Sequence, residues 1–136
     1  MEEPADLNDP TTWTSLADLR MEAVRSLMDK GFYDDAVSRA YYAMYYAAKG
    51  ALLTVGLTLK KHSSTVALFT QYFVTTGRVD KKYVSLLGRA QRARERSDYA
   101  PAISLKKSEA EQILLDAEAF IAKMKEIVGM PGADRP

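Results

Sequence analysis

Residues 33 to 55 are apolar almost the whole way round a helix. Ala36, Val37, Ala40, Tyr41, Met44, Tyr45, Ala47, Ala48, Ala51, Leu52 and Val55 leave no polar stripe wide enough to face water. Such a segment belongs at the centre of a helical packing, and its many alanines let neighbours approach closely. Asp34 and Asp35 open it with charges that suit the positive end of the helix dipole, and Gly56 closes it. Asp35 and Arg39 stand four apart, a spacing that lets them pair on one face beside the tyrosines.

The remaining pattern is helical too, and no segment alternates apolar and polar residues for long enough to make a strand. A first helix begins after Asp9-Pro10, with Thr12 or Thr14 as its cap, and sets Leu16, Leu19, Ala23 and Leu27 on one face before Gly31. Ser63 or Ser64 caps a third, with Val66, Phe69, Tyr72 and Phe73 on its apolar side and Gly77 at its end. Asp80 starts a fourth that runs to about Ser97, with Tyr83, Leu87 and Ala90 inward, and Pro101 forbids its continuation. The last spans about Ser104 to Val128 and carries Ile113, Ala117, Phe120, Met124 and Val128 on one stripe. Five helices with short links predict an all-α, antiparallel up-and-down bundle over residues 12–128, between a flexible N-terminal segment 1–11 and a flexible tail 129–136. Gly50 and Gly88 fall inside helical patterns, where close packing is the ordinary reason for a glycine.

A chain of 136 residues suffices for one domain, and 47% hydrophobic with 27% charged residues exclude disorder. The absence of cysteine removes disulfides, thiolate metal sites and a cysteine nucleophile. A single histidine and no Glu-x-x-His pair leave no plausible catalytic metal set. No Gly-rich phosphate loop or nucleophile elbow occurs. No run of eighteen apolar residues exists, and Met1 to Asp9 are acidic where a signal peptide would be basic, so the expected location is the cytoplasm, away from membranes.

The net charge of +1 conceals an uneven distribution. Residues 1–35 carry three basic and nine acidic side chains, net −6, whereas residues 36–107 carry thirteen basic and three acidic, net +10. Residues 108–136, with three basic and six acidic, are net −3. The basic middle is either a polyanion-binding surface or is neutralised by the acidic ends packing against it.

Arg89, Arg92, Arg94 and Arg96 concentrate that charge near the end of the fourth helix. At about 100° per residue, Arg89, Arg92 and Arg96 share one side, where they can contact phosphates or water. Arg94 lies seven beyond Leu87 and four beyond Ala90, so it continues the inward stripe and puts a guanidinium at the core's edge. A group placed there must be paired or must await an anion, and Asp98, four residues on, is its natural partner. Tyr99 ends the helix and can donate to a phosphate or take part in proton transfer. The pairs Tyr41-Tyr42 and Tyr45-Tyr46 read as packing residues that could also stack on bases. Lys61 and His62, before Ser63, stand at an expected helix N-terminus suited to an anion.

Ser38-Arg39-Ala40-Tyr41-Tyr42-Ala43-Met44-Tyr45-Tyr46-Ala47-Ala48, Lys61-His62-Ser63, Phe73-Val74 with Gly77, and Arg94-Glu95-Arg96-Ser97-Asp98-Tyr99 resemble, in this order, the HEPN superfamily, the higher eukaryote and prokaryote nucleotide-binding domain. The resemblance covers about residues 12–128. It implies a helical bundle that forms a homodimer and is encoded beside a minimal nucleotidyltransferase, as toxin and antitoxin. Many members are metal-independent endoribonucleases needing no cofactor. Their motif is an Arg followed after four to six residues by a His, with two copies meeting across the dimer to activate an RNA 2′-hydroxyl and stabilise the phosphorane charge. Arg94 matches the Arg and Glu95 its polar neighbour, but Tyr99 stands where the histidine is expected. The segment is similar to an Arg-Glu-x-x-Asp-Tyr form found in one branch. On this resemblance Arg94 stabilises the phosphate, Asp98 orients Arg94, Tyr99 serves proton transfer, and Arg92 and Arg96 steer the RNA backbone. The alternative is a non-catalytic helical adaptor or nucleotide-binding partner subunit.

Overall fold

The long apolar segment forms α2 (Tyr33–Leu53), the central helix of a computed structural model that describes residues 5–58, 65–99 and 105–129. Lys61, His62, Ser63, Ser64, Pro101 and the tail from 130 lie outside the described residues, as does the side chain of Tyr99. Around α2 stand α1 (Pro10–Asp29), α3 (Thr65–Phe69), α4 (Lys82–Tyr99) and α5 (Lys107–Gly129). The described residues thus form an all-helical bundle of five helices without strands, in which α2 packs against α1, α4 and α5. Tyr41, Met44 and Leu52 of α2 are among its fully buried side chains. None of the described helices is long and apolar enough to cross a membrane.

Helix α1 runs antiparallel to α2, since Gly50 near the end of α2 lies against the start of α1. A Cβ at Gly50 would sit 2.8 Å from the Pro10 carbonyl oxygen and 3.2 Å from Trp13 Cβ, which is why glycine occupies this position. The N-cap is Asp9, not Thr12 or Thr14: its Oδ1 accepts from the Thr11 N–H at 2.9 Å, and Pro10 takes the first turn, where its missing N–H costs nothing. The buried face also differs from the expected leucine stripe. Trp13, Ala17, Met21 and Val24 point inward, whereas Leu19 is 56% exposed and Ala23 also faces solvent. Two stripes on α1 fit the helical period, and the one carrying Trp13 buries the larger surface beside Gly50.

At the α1–α2 turn Gly31 adopts φ 81°, and Gly56 past the end of α2 adopts φ 82°. Nothing lies within 4 Å of a Cβ at either, so the left-handed backbone is the reason for glycine there. Asp35 and Arg39 are both exposed, and among the described residues no ion pair joins them.

The expected third helix is not regular throughout. α3 runs directly into a π-helical turn, Thr70–Val74, closed by the Thr75 N–H donating to the Thr70 carbonyl at 2.8 Å. The widened turn keeps Phe69 and Phe73 both in the core, their ring centroids 5.3 Å apart, with Phe120 of α5 5.6 Å from Phe69. Asp80 Oδ1 accepts from the Lys82 N–H at 2.8 Å, as expected of a cap for α4. The inward stripe of α5, Ile113, Ala117, Phe120, Met124 and Val128, is buried at every position. This helix starts at Lys107, later than expected, because the Leu105 N–H is held by Asp34 Oδ1 at 3.0 Å.

Candidate functional site

Helix α4 is anchored by Leu87 and Ala90, which are buried against the core. Its arginines then project to two sides, as the 100° step requires. Arg94 continues the Leu87 and Ala90 row toward α2 and is only 24% exposed. Its Cζ lies 5.2 Å from the Tyr41 ring centroid and 5.5 Å from that of Tyr42. Nη1 reaches Asp98 Oδ2 at 3.0 Å and makes a longer contact of 3.4 Å with the Tyr42 hydroxyl. Nε is buried and has no hydrogen-bond partner. The guanidinium is therefore fixed in direction by two rings and one carboxylate while part of it stays open to solvent.

Tyr41 and Tyr42 meet nearly edge to face, at 5.5 Å and 71°. Burial pushes the Tyr41 phenol above its ordinary range, and the Arg94 charge opposes that shift in part. Tyr45 is buried and likewise raised, chiefly by burial. Tyr46 lies 5.8 Å from Trp13 and carries the Arg20 guanidinium at 5.9 Å. The tyrosine row is thus mainly packing, with Tyr41 and Tyr42 doubling as the platform for Arg94.

On the other side of α4, Arg89, Arg92 and Arg96 face α5 across a groove of about 460 Å³. Arg89 donates through Nε to Asp116 Oδ2 at 2.9 Å, and its Nη2 approaches the same oxygen at 2.8 Å. Asp116 is buried, and its Oδ1 accepts from Gln112 Nε2 at 2.9 Å. Arg96 pairs with Glu109, whose carboxyl is held below the usual range by that hydrogen bond and by a second from the Lys106 N–H. Arg92 has no carboxylate partner among the described residues. Acidic α5 therefore neutralises two of the three arginines, and the expectation that the chain's acidic end packs on its basic middle holds for Arg89 and Arg96.

The structure brings Arg94 and Asp98 together on one face of α4, and Arg89, Arg92 and Arg96 together on another. Asp116 was not singled out from the sequence, although a signal exists: it is an acid set between Ile113 and Phe120 on the apolar side of α5. The contact of Arg94 with Tyr41 and Tyr42 joins residues about fifty positions apart, and no local spacing announces it. Gly88 also differs from the packing expectation. A Cβ there would meet only Arg92 Nη1, at 3.2 Å, the far end of a flexible side chain. Among the described residues, no three histidine or carboxylate groups gather as a metal ligand set.

The family model of the HEPN domain matches residues 11–127. The chain is 38% identical over 109 residues to a protein of Methanocaldococcus jannaschii named "Putative toxin MJ0142", an alignment covering 80% of this chain and 74% of that one. A second protein of that organism, "Putative toxin MJ0605", is 34% identical over 110 residues, 81% of each chain. A "UPF0332 protein" of Gloeobacter violaceus is 37% identical over 103 residues, 76% of this chain and 82% of that one. The matched span runs from the first turn of α1 to the last turn of α5 and takes in both arginine faces of α4, so the chain belongs to the HEPN domain family.

Proposed function

We propose that this chain is the toxin component of a toxin–antitoxin pair with a minimal nucleotidyltransferase, and that it cleaves RNA without a metal ion as a homodimer. The observation that carries the reading is the Arg94 guanidinium, held against the rings of Tyr41 and Tyr42, tied to Asp98, and left partly open. A cation held this way is already aimed before substrate arrives, the condition under which it stabilises charge developing on a phosphoryl group. In the reaction an RNA 2′-hydroxyl loses its proton to water, its oxygen bonds to the adjacent phosphorus, and the bond from phosphorus to the 5′-oxygen breaks. Arg94 stabilises the phosphorane charge and Asp98 keeps Arg94 in place. Tyr99 supplies a proton to the departing 5′-oxygen and regains one from water. Lys61 and His62 add to the binding of the RNA backbone. The kinship with proteins named as toxins supports the cellular role.

A second reading has its own observation. The Arg94 pairing with Asp98 also reads as a structural ion pair, and a tyrosine replaces the motif histidine, so a non-catalytic adaptor or nucleotide-binding subunit would use the same contacts. Induced expression in a bacterial host separates the two. Wild type should arrest growth and Arg94→Ala should not, with both accumulating equally as folded protein. Equal arrest by both would favour a role that does not use Arg94.

A further inference from the structure

The groove between α4 and α5 has a charge balance that specifies its occupant. Arg89 is compensated by Asp116 and Arg96 by Glu109, while Arg92 has no carboxylate among the described residues. One excess positive charge therefore faces the groove. The missing Cβ of Gly88 lets the Arg92 guanidinium fold back along α4, because a methyl group would stand 3.2 Å from Nη1. Between the charged groups the lining is apolar, formed by Ala93 and Ile113 together with the aliphatic stems of the arginines. The volume of about 460 Å³ falls within the roughly 300–1,000 Å³ typical of small-ligand sites.

A cation beside an apolar strip fits an anion joined to a flat apolar group, and guanidinium planes stack on nucleobases. The magnitude of the charge then distinguishes the sources of phosphate. A phosphodiester inside a strand carries one negative charge, matching Arg92 alone, whereas a terminal phosphate carries nearly two. We infer that this groove takes one nucleotide unit of a single RNA strand, with the phosphodiester on Arg92 and the base against Ala93 and Ile113. The inference rests on the RNA-directed reading above and places a strand-holding site on the side of α4 away from Arg94. Glu109 acts as a competing anion: while it holds Arg96, that guanidinium is withheld from the strand.

The test uses the full chain and a short fluorescein-labelled single-stranded RNA with 2′-O-methyl groups, which cannot be cleaved through the 2′-oxygen. Binding is followed by fluorescence anisotropy over a range of salt. Arg92→Ala should weaken binding roughly tenfold and lower the slope of log K against log salt by about 0.7, the value for one phosphate contact on a single strand. Glu109→Gln should tighten binding severalfold by releasing Arg96. Arg25→Ala, an equal loss of charge on exposed α1, should leave binding unchanged. Circular dichroism confirms that each variant is folded. The inference is overturned if Arg92→Ala binds like wild type or like Arg25→Ala, if Glu109→Gln does not tighten binding, or if wild type binds no RNA. Adenosine monophosphate competing as well as a dinucleoside monophosphate would assign the groove to a free nucleotide and overturn the strand. If Arg92→Ala has no effect but Arg94→Ala abolishes toxicity, the groove fails while the RNA-directed reading stands; if neither substitution matters, both fail.

Discussion

The Arg94 guanidinium lies over the Tyr41 ring, with Cζ 5.2 Å from the centroid, and joins the end of α4 to the most buried helix of the bundle. The contact acts in both directions. The ring fixes the cation, and the cation partly offsets the effect of burial on the phenol.

Tyr41 should therefore ionise above the ordinary tyrosine value of about 10, and Arg94→Met should raise its midpoint further by removing the opposing charge. The folded-state pKa exceeds the unfolded one, so the stabilisation linked to this phenol is present below about pH 10 and is lost as pH rises through the folded value. Ultraviolet titration at alkaline pH, comparing wild type, Tyr41→Phe and Arg94→Met, reads the shift. An Arg94→Met midpoint for Tyr41 at or below wild type would contradict the contact.

The Arg89 and Asp116 pair should respond unequally to loss of either member. Arg89 is half exposed and can rehydrate, whereas Asp116 is 4% exposed and would be left with Gln112 alone. Arg89→Met should cost roughly 2–4 kcal/mol and Asp116→Asn about half of that or less. Urea denaturation of both variants measures the difference, and equal losses would show that the carboxylate is not stranded when Arg89 is removed.

Most of the fold was legible because the signals are local. The all-round apolar α2, the Asp80 cap and the α5 stripe depend only on residues within a few turns of one another. The α1 face was misread because two stripes share the helical period, and only the seat that Gly50 offers to Trp13 chooses between them. The π turn at Thr70–Val74 accompanies the burial of Phe69 against both Phe73 and Phe120, a tertiary demand with no sequence spacing of its own. Of the site, the placement of Arg94 apart from Arg89, Arg92 and Arg96 follows from helix geometry, as does its pairing with Asp98. Its seat on Tyr41 and Tyr42, and the role of Asp116, required the helices to be brought together.

Removal of Asp98 discriminates between enzyme and adaptor. The pair is an i, i+4 contact whose Asp98 side is exposed, so Asp98→Ala should lower stability by only about 1 kcal/mol. If Asp98 positions a functional cation, RNA cleavage should nevertheless fall at least tenfold, and Asp98→Glu should recover part of it. Thermal melts beside cleavage rates give both quantities: a loss of stability with unchanged cleavage would make Asp98 a structural partner only, and no cleavage by wild type would support the adaptor.

The central claim is that Arg94 serves RNA chemistry that needs no metal, and cleavage of RNA by the purified chain in excess EDTA tests it most directly. Wild type should cleave under these conditions, and Arg94→Ala should be slower by roughly 10²–10³-fold, the usual effect of removing one preorganised donor to a developing negative charge. Cleavage that persists unchanged in Arg94→Ala, or no cleavage by wild type across RNAs of varied sequence, would contradict the account.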